Sequence, residues 1–351
     1  MTARHAMNVA PSRIRKTAVT GIRQADKLGA SAFAASTGRM EQHTLLASSR
    51  GILRSCFAHN AKLVASSALL DDDLLSGYRP GGSIYVCTDA LPRFVQSILP
   101  RIESPFVIVS GDSDLTVSAQ SLGPTFDALL SSERLLSWFA QNCAESAPKL
   151  LPLPIGLDYH TMWEKPGLWG LGQVSPMAQE QQLLRIWRES PDSSRRYLAA
   201  YCNWGHALER GDRRQCFERL DRALCFFERT HVPRASSWAR QAEFMFVVSP
   251  EGAGMDCHRT WEALALGCIP IVKRNPVCRL LAGLPVLIVD DWSEVRRERL
   301  EGYLHDFMGR RFDYSDLFLD TWVRKIHGLP PAAPVTMSHA EFRQLMTRWA
   351  G

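Results

Sequence analysis

The sequence contains no apolar run long enough to cross a bilayer; its longest, Phe244 to Val248 and Leu284 to Val289, are the length of strands. The first forty residues lack the apolar core of a secretory leader. Lysine is scarce, with 7 against 34 arginines, and the net charge is only +5. That excess suits a binder of anionic small molecules. It falls short of a nucleic-acid footprint, where cations concentrate with aromatics on one surface. Arg296, Arg297 and Arg299 form the one dense cluster, but Glu294, Glu298 and Glu301 interleave them, as on a solvated helix face. The nine cysteines are odd in number, scattered and never spaced C-x-x-C, so no disulfide framework is expected. Cys257, His258, Cys268 and Cys278 have the wrong spacing for zinc. These absences together lead to an expectation of a cytoplasmic protein with no membrane span and no nucleic-acid partner.

What remains is a globular composition, 46% hydrophobic and 22% charged over 351 residues, enough for two domains. Residues 1–48 read as a basic, flexible extension: Arg4, Arg13, Arg15, Lys16, Arg23, Lys27 and Arg39 face only Asp26 up to Met40. A transit peptide or a phosphate-seeking arm is the alternative. Residues 49–190 read as a first α/β domain, with strands at Ala61 to Ser67, Ser83 to Cys87, Phe106 to Val109 and Leu150 to Pro154. Helices are expected at Pro92 to Leu99, Leu129 to Asn142 and Gln179 to Arg188. The cluster Ser190-Pro-Asp-Ser-Ser194 is the expected linker. Residues 196–335 then form a second α/β domain beginning with a strand at Tyr197 to Cys202, and a last helix covers Ser338 to Trp349. Strands alternating with helices predict parallel sheets.

The most informative stretch runs from Phe244 to Val272. It reads as a buried strand, a loop with Gly252 and Gly254, a helix capped by Asp256, a turn at Gly267 and a second strand. A helix tip facing a glycine loop at the carboxyl end of a parallel strand is a natural anion site. Two glycines there permit sharp turns and close backbone approach to a ligand. His258, Arg259 and Glu262 lie on the first turn. Arg259 offers the donor fork that suits a diphosphate, and Glu262 an acceptor for two vicinal hydroxyls. The plain alternative is an i,i+3 ion pair between Arg259 and Glu262 on a wet helix.

The pattern S-P-x-G-x-G-x-D-x-x-R-x-W-E-A-L-x-x-G-x-I-P-I-V resembles the donor half of exostosin-like glycosyltransferases. It is carried here by Ser249, Pro250, Gly252, Gly254, Asp256, Arg259, Trp261, Glu262, Ala263, Gly267, Ile269 and Pro270. The strong match spans about 30 residues, with weaker likeness over roughly 150 to 290. The resemblance implies the GT-B architecture, two Rossmann-like domains facing across a cleft, with the Arg and Glu on the diphosphate and ribose of a nucleotide sugar. It also implies that the terminal helix, residues 336–351, crosses back to the first domain. Exostosins proper are membrane proteins of the secretory pathway, and this chain departs from them in that respect.

Elsewhere, Ser110-Gly-Asp-Ser-Asp114 follows a buried strand, so Asp112 or Asp114 stands at the sheet's ligand edge as a base for an acceptor hydroxyl. An Asx turn, or a D-x-D metal site, are the other readings, with Asp89 a second choice of base. Asp158 and His160 are candidates for the acceptor side, His160 otherwise a structural donor. Arg213 or Arg214 opens the second domain's first helix and is a candidate for the leaving diphosphate. The expectation is a metal-independent glycosyltransferase using a UDP-sugar, with no cofactor, acting on a hydroxyl acceptor. A non-catalytic carbohydrate- or nucleotide-binding module and a nucleotide-sugar epimerase or hydrolase are the rivals.

Overall fold

The computed structural model describes residues 38–59, 70, 73–164, 172 and 174–349. The expected strand at Ala61 to Ser67 and residues 1–37 of the basic extension lie outside them. After helix α1 (Ser49–Ser55), capped by Ser48 Oγ accepting from the Gly51 N–H at 3.1 Å, comes a parallel sheet. Its strands β1 (Ser83–Cys87), β2 (Phe106–Gly111), β3 (Leu135–Ala140) and β4 (Leu150–Pro152) lie in sequential order. Every residue of β2 is buried, because a Phe-Val-Ile-Val run sandwiched on both faces needs no polar side. Ala58 adds a parallel bridge to Ile84 on the side of β1 away from β2.

Sequence periodicity fails at one place in this domain. The stretch expected as a helix from Leu129 to Asn142 is instead the end of α2 (Pro124–Leu130) followed by β3. Leu135-Leu-Ser-Trp-Phe-Ala140 is apolar enough to suit either state, and a short apolar run carries no decisive period. The unpaired edge of β2 settles it: Val107 to Ser110 pair with Ser137 to Ala140.

Helix α3 (Pro176–Glu189) leads to the second sheet, β5 (Tyr197–Cys202), α4 (Arg213–Arg219), β6 (Cys225–Phe227), α5 (Arg234–Gln241), β7 (Phe244–Val248), α6 (His258–Ala265), β8 (Ile269–Lys273) and β9 (Leu287–Val289). All neighbours are parallel, in the order β6-β5-β7-β8-β9. From β5 the chain steps outward to β6, then returns to β7 on the other side. That reversal is a topological switch point, where open α/β sheets hold ligands beyond their strand ends. The fold is thus two Rossmann-like α/β domains facing across a cleft.

The chain finishes with α7 (Arg297–Met308), β10 (Arg311–Asp313), α8 (Leu319–Ile326), β11 (Thr336–Ser338) and α9 (His339–Trp349), β10 and β11 pairing antiparallel. Arg296, Arg297, Glu298, Arg299 and Glu301 are exposed, as the charge pattern implied. The chain returns to segments counted with the first domain through two helices, α9 and α8, of which α8 packs on α1, with His327 Nε2 donating to the Ser55 carbonyl at 2.9 Å. Helix α9 packs on α3, where Phe342 meets the Trp187 ring edge-on at 5.7 Å between centroids. Trp187 is fully buried and also lies under Gly267, whose φ of +66° and lack of a side chain let the α6–β8 turn pass over the ring.

Trp187 therefore joins three segments far apart in sequence. Trp187→Ala should remove about 3–5 kcal/mol of unfolding free energy. Chemical denaturation measures it, and a loss below about 1 kcal/mol would contradict this packing.

Candidate functional site

At the switch point the loops after β5 and β7 and the start of α5 enclose a cavity of about 260 Å³. A second cavity, of about 560 Å³, lies over the ends of β1 and β2. Asp114, Ile155 and His258 line both, so the two form one cleft with a shared wall. Of the residues singled out from sequence, Asp114, Asp158, Arg213, Gly252, Gly254, Asp256, His258, Arg259 and Glu262 line the first cavity. Asp89, Asp112, Asp114, His160 and His258 line the second.

The glycine loop is held from the first domain. Asp256 does not cap α6 through its side chain; the N-cap is Cys257, with no side-chain bond. Its carboxylate instead accepts the Ile155 N–H at 2.8 Å across the domain boundary and the Trp261 indole N–H at 2.8 Å. Asn142, at the end of β3 with φ +50°, accepts the Asp256 N–H at 2.9 Å through Oδ1 and donates from Nδ2 to Ser113 O at 3.0 Å. Gly254 sits against that same Asn142, and a Cβ there would stand 2.8 Å from its Nδ2. Close approach at Gly254 thus serves the partner domain. At Gly252 a Cβ would find ordinary contacts, 3.5 Å to Cys257 Sγ and 3.6 Å to Arg213.

The expected side-chain pair on α6 diverges. Arg259 Nε donates to Asn203 Oδ1 at 2.7 Å, on the loop after β5. Glu262 turns the other way, 3.4 Å from Arg234, and its buried Oε1 accepts no hydrogen bond. The wet i,i+3 ion pair is therefore not formed. Arg213 reaches the same cavity from the start of α4, and among the described residues its side chain makes one long hydrogen bond, to Ala207 O at 3.4 Å. Burial, then the charge of Arg259, pulls the Arg213 guanidinium down to about 10. Among the described residues neither arginine has a carboxylate within ion-pair distance. The Arg213–Arg259 side of the cavity is thus positive, and the N-terminus of α6 has no side-chain cap.

Arg234, which no sequence signal marked, organises the other end. It is buried and donates to both the carboxylate of Asp158, at 2.9 Å, and that residue's carbonyl. Burial alone would raise the Asp158 carboxyl; the charge of Arg234, aided by His160, His258 and the Thr161 N–H, outweighs it and holds Asp158 far below the usual range. Asp158 is therefore a fixed anion. His160 Nδ1 lies 3.3 Å from Asp158 Oδ1 without a hydrogen bond, and burial pushes the imidazole down. On the first domain Asp112, with φ +55°, places its carboxylate 2.8 Å from the buried Arg50, and its N–H donates to Gln141 Oε1 at 3.0 Å. Arg50, Asn142, Asn203 and Arg234 were thus missed. Each is a single polar residue outside any spaced motif, visible only once the chain is folded.

No protein-family model and no curated protein matches the chain. Among solved structures it is similar to a spinosyn rhamnosyltransferase complexed with spinosyn aglycone, at 12% identity over 92% of this chain and 85% of that one, with a TM-score of 0.33. The same enzyme described without aglycone gives 12% identity, 92% and 84% coverage, and a TM-score of 0.33. A superposition that loose carries no argument about activity.

The two glycines should respond differently to a methyl group. Gly254→Ala must push Asn142 away and should lower stability by about 1–3 kcal/mol, while Gly252→Ala should change it by less than about 0.5 kcal/mol. Denaturant melts of both variants check the pair. Equal effects would mean the domains do not meet at Gly254.

Proposed function

We propose that the protein transfers a sugar from a nucleoside diphosphate sugar to a hydroxyl acceptor, as the exostosin-like resemblance implies. One observation carries the reading: among the described residues Arg213 and Arg259 line the cavity without carboxylate partners, beside a buried Glu262 oxygen that is ion-paired with Arg234 but accepts no hydrogen bond. Two like charges held together in a half-buried site are relieved by a dianion, and a diphosphate is the natural one. Glu262 Oε1 then accepts from ribose hydroxyls, leaving its contact with Arg234 in place. A UDP-sugar is the donor we favour, and the second domain is the donor side.

The reaction needs the leaving diphosphate to be stabilised as the anomeric bond breaks. The two guanidinium groups and the α6 amides supply that charge without a metal. A D-x-D cation site on Asp112 and Asp114 would have to displace Arg50, which already neutralises Asp112 at 2.8 Å. The second cavity, over β1 and β2, is the acceptor side, with His160 and Asp114 on its wall. Closure of the domains over both cavities excludes water that would otherwise hydrolyse the donor.

Calorimetry with UDP, GDP, dTDP and inorganic pyrophosphate tests this. Arg213→Ala and Arg259→Ala should each weaken the bound nucleotide by about 10- to 100-fold, the range of a lost charge-assisted hydrogen bond. Glu262→Ala should weaken the nucleotide but not pyrophosphate. Melting temperatures of the two arginine variants should stay close to that of the parent, while Glu262→Ala, which removes a partner of the buried Arg234, should melt lower. Unchanged affinities in all three variants would end the proposal.

A further inference from the structure

We propose that His258, on the donor-binding domain, is the base that takes the acceptor's proton; this rests on the sugar-transfer reading above. One bond orients its ring: Nδ1 stands 2.7 Å from the carbonyl oxygen of Gly156. A carbonyl only accepts, so Nδ1 carries the hydrogen, and in the neutral ring Nε2 holds the lone pair. Gly156 follows β4 in the first domain, so the ring is oriented only while the two domains are docked as they are here. His258 also borders both cavities, the position a base needs to reach an acceptor on one side and a donor sugar on the other.

The other candidates at that wall are committed or displaced. Asp112 is bound to Arg50 at 2.8 Å and lies outside the set lining the donor cavity. Asp158 is bound to Arg234 at 2.9 Å and accepts the Thr161 N–H at 2.9 Å, so its oxygens are taken. Asp256 holds Ile155 and Trp261. His160 lies 5.9 Å from His258, ring to ring and edge-on, and borders only the second cavity. Asp114 alone shares the wall as a free carboxylate, but it is exposed, and among the described residues no hydrogen bond fixes its side chain. A base must be held to be effective, and His258 is the one that is held.

In the step itself, the acceptor oxygen attacks the anomeric carbon as its proton passes to His258 Nε2. The bond from that carbon to the β-phosphate oxygen breaks, and its electron pair leaves with the nucleoside diphosphate against Arg213 and Arg259. The imidazolium then returns its proton to solvent. Nothing beyond donor and acceptor is consumed.

His258→Asn is the discriminating variant, because the Asn amide keeps a donor near Nδ1 for Gly156 and has nothing at Nε2. UDP-glucose, GDP-mannose and dTDP-glucose are the probes, with release of nucleoside diphosphate measured in water and with added sugars or alcohols as acceptors. His258→Asn should bind UDP within about threefold of the parent, melt unchanged, and lose about 10²- to 10⁴-fold in release rate, the usual contribution of a general base. Long-range ¹H–¹⁵N spectra of the parent should show the hydrogen on Nδ1 and Nε2 bare. Release by His258→Asn within tenfold of the parent, loss on Asp114→Asn instead, or a hydrogen on Nε2 would each overturn the assignment. Parent protein that binds nucleotide yet releases nothing would overturn it too and leave a binding module. Parent protein that binds none of the nucleoside diphosphates would sink the transfer reading itself.

Discussion

The site depends on one constraint: the loop after β7 is fastened to the opposite domain. Asp256 accepts a main-chain N–H of Ile155, Asn142 accepts the N–H of Asp256, and His258 donates to Gly156 O. These bonds, one buried and two part-buried, are each worth about 1 kcal/mol net, yet breaking one leaves a poorly solvated partner at greater loss. They also carry direction. From α6 the two side chains reach the same cavity in different directions, Arg259 toward Asn203 and Glu262 toward Arg234.

Charge is distributed along the cleft in an order that fits a linear ligand. Arg213 and Arg259 make one end positive and uncompensated, while Arg234 is balanced between Asp158 and Glu262 at the other. Burial works against Arg234, and the two carboxylates more than restore it, raising the guanidinium. Its charge therefore serves structure, whereas that of the Arg213–Arg259 pair is left for something to bind. Among the described residues the non-glycine positions with positive φ are Asp112 and Asn142, just past the ends of adjacent strands at the cleft. Asp and Asn tolerate that conformation, and such backbone concentrates where a site must be shaped.

Much of the second domain was legible because its signals are local. Phe244 to Val248 and Ile269 to Val272 are short apolar runs cut off by Pro250 and Gly267, and they are strands β7 and β8. The glycine loop, the helix start and the Arg–Glu spacing were equally local. Less visible was anything set by contact across the chain. Leu135 to Ala140 became a strand because β2 offered an edge, and α8, the helix that returns to α1, carries no motif. Asp256 looked like a cap from its place before the helix, but a carboxylate that can reach two N–H groups, one of them buried, satisfies more than a cap would. Arg50 and Arg234 acquire meaning only from Asp112 and Asp158, each more than sixty residues away.

The central claim is that this fastened loop, with Arg213, Arg259 and Glu262, is a seat for a nucleoside diphosphate. A crystal structure with UDP bound tests it most directly. The account predicts phosphate oxygens within hydrogen-bond distance of Arg213 and Arg259 and ribose hydroxyls on Glu262, with Asp256 still holding Ile155. UDP seated elsewhere, with those two guanidinium groups left facing solvent, would contradict it.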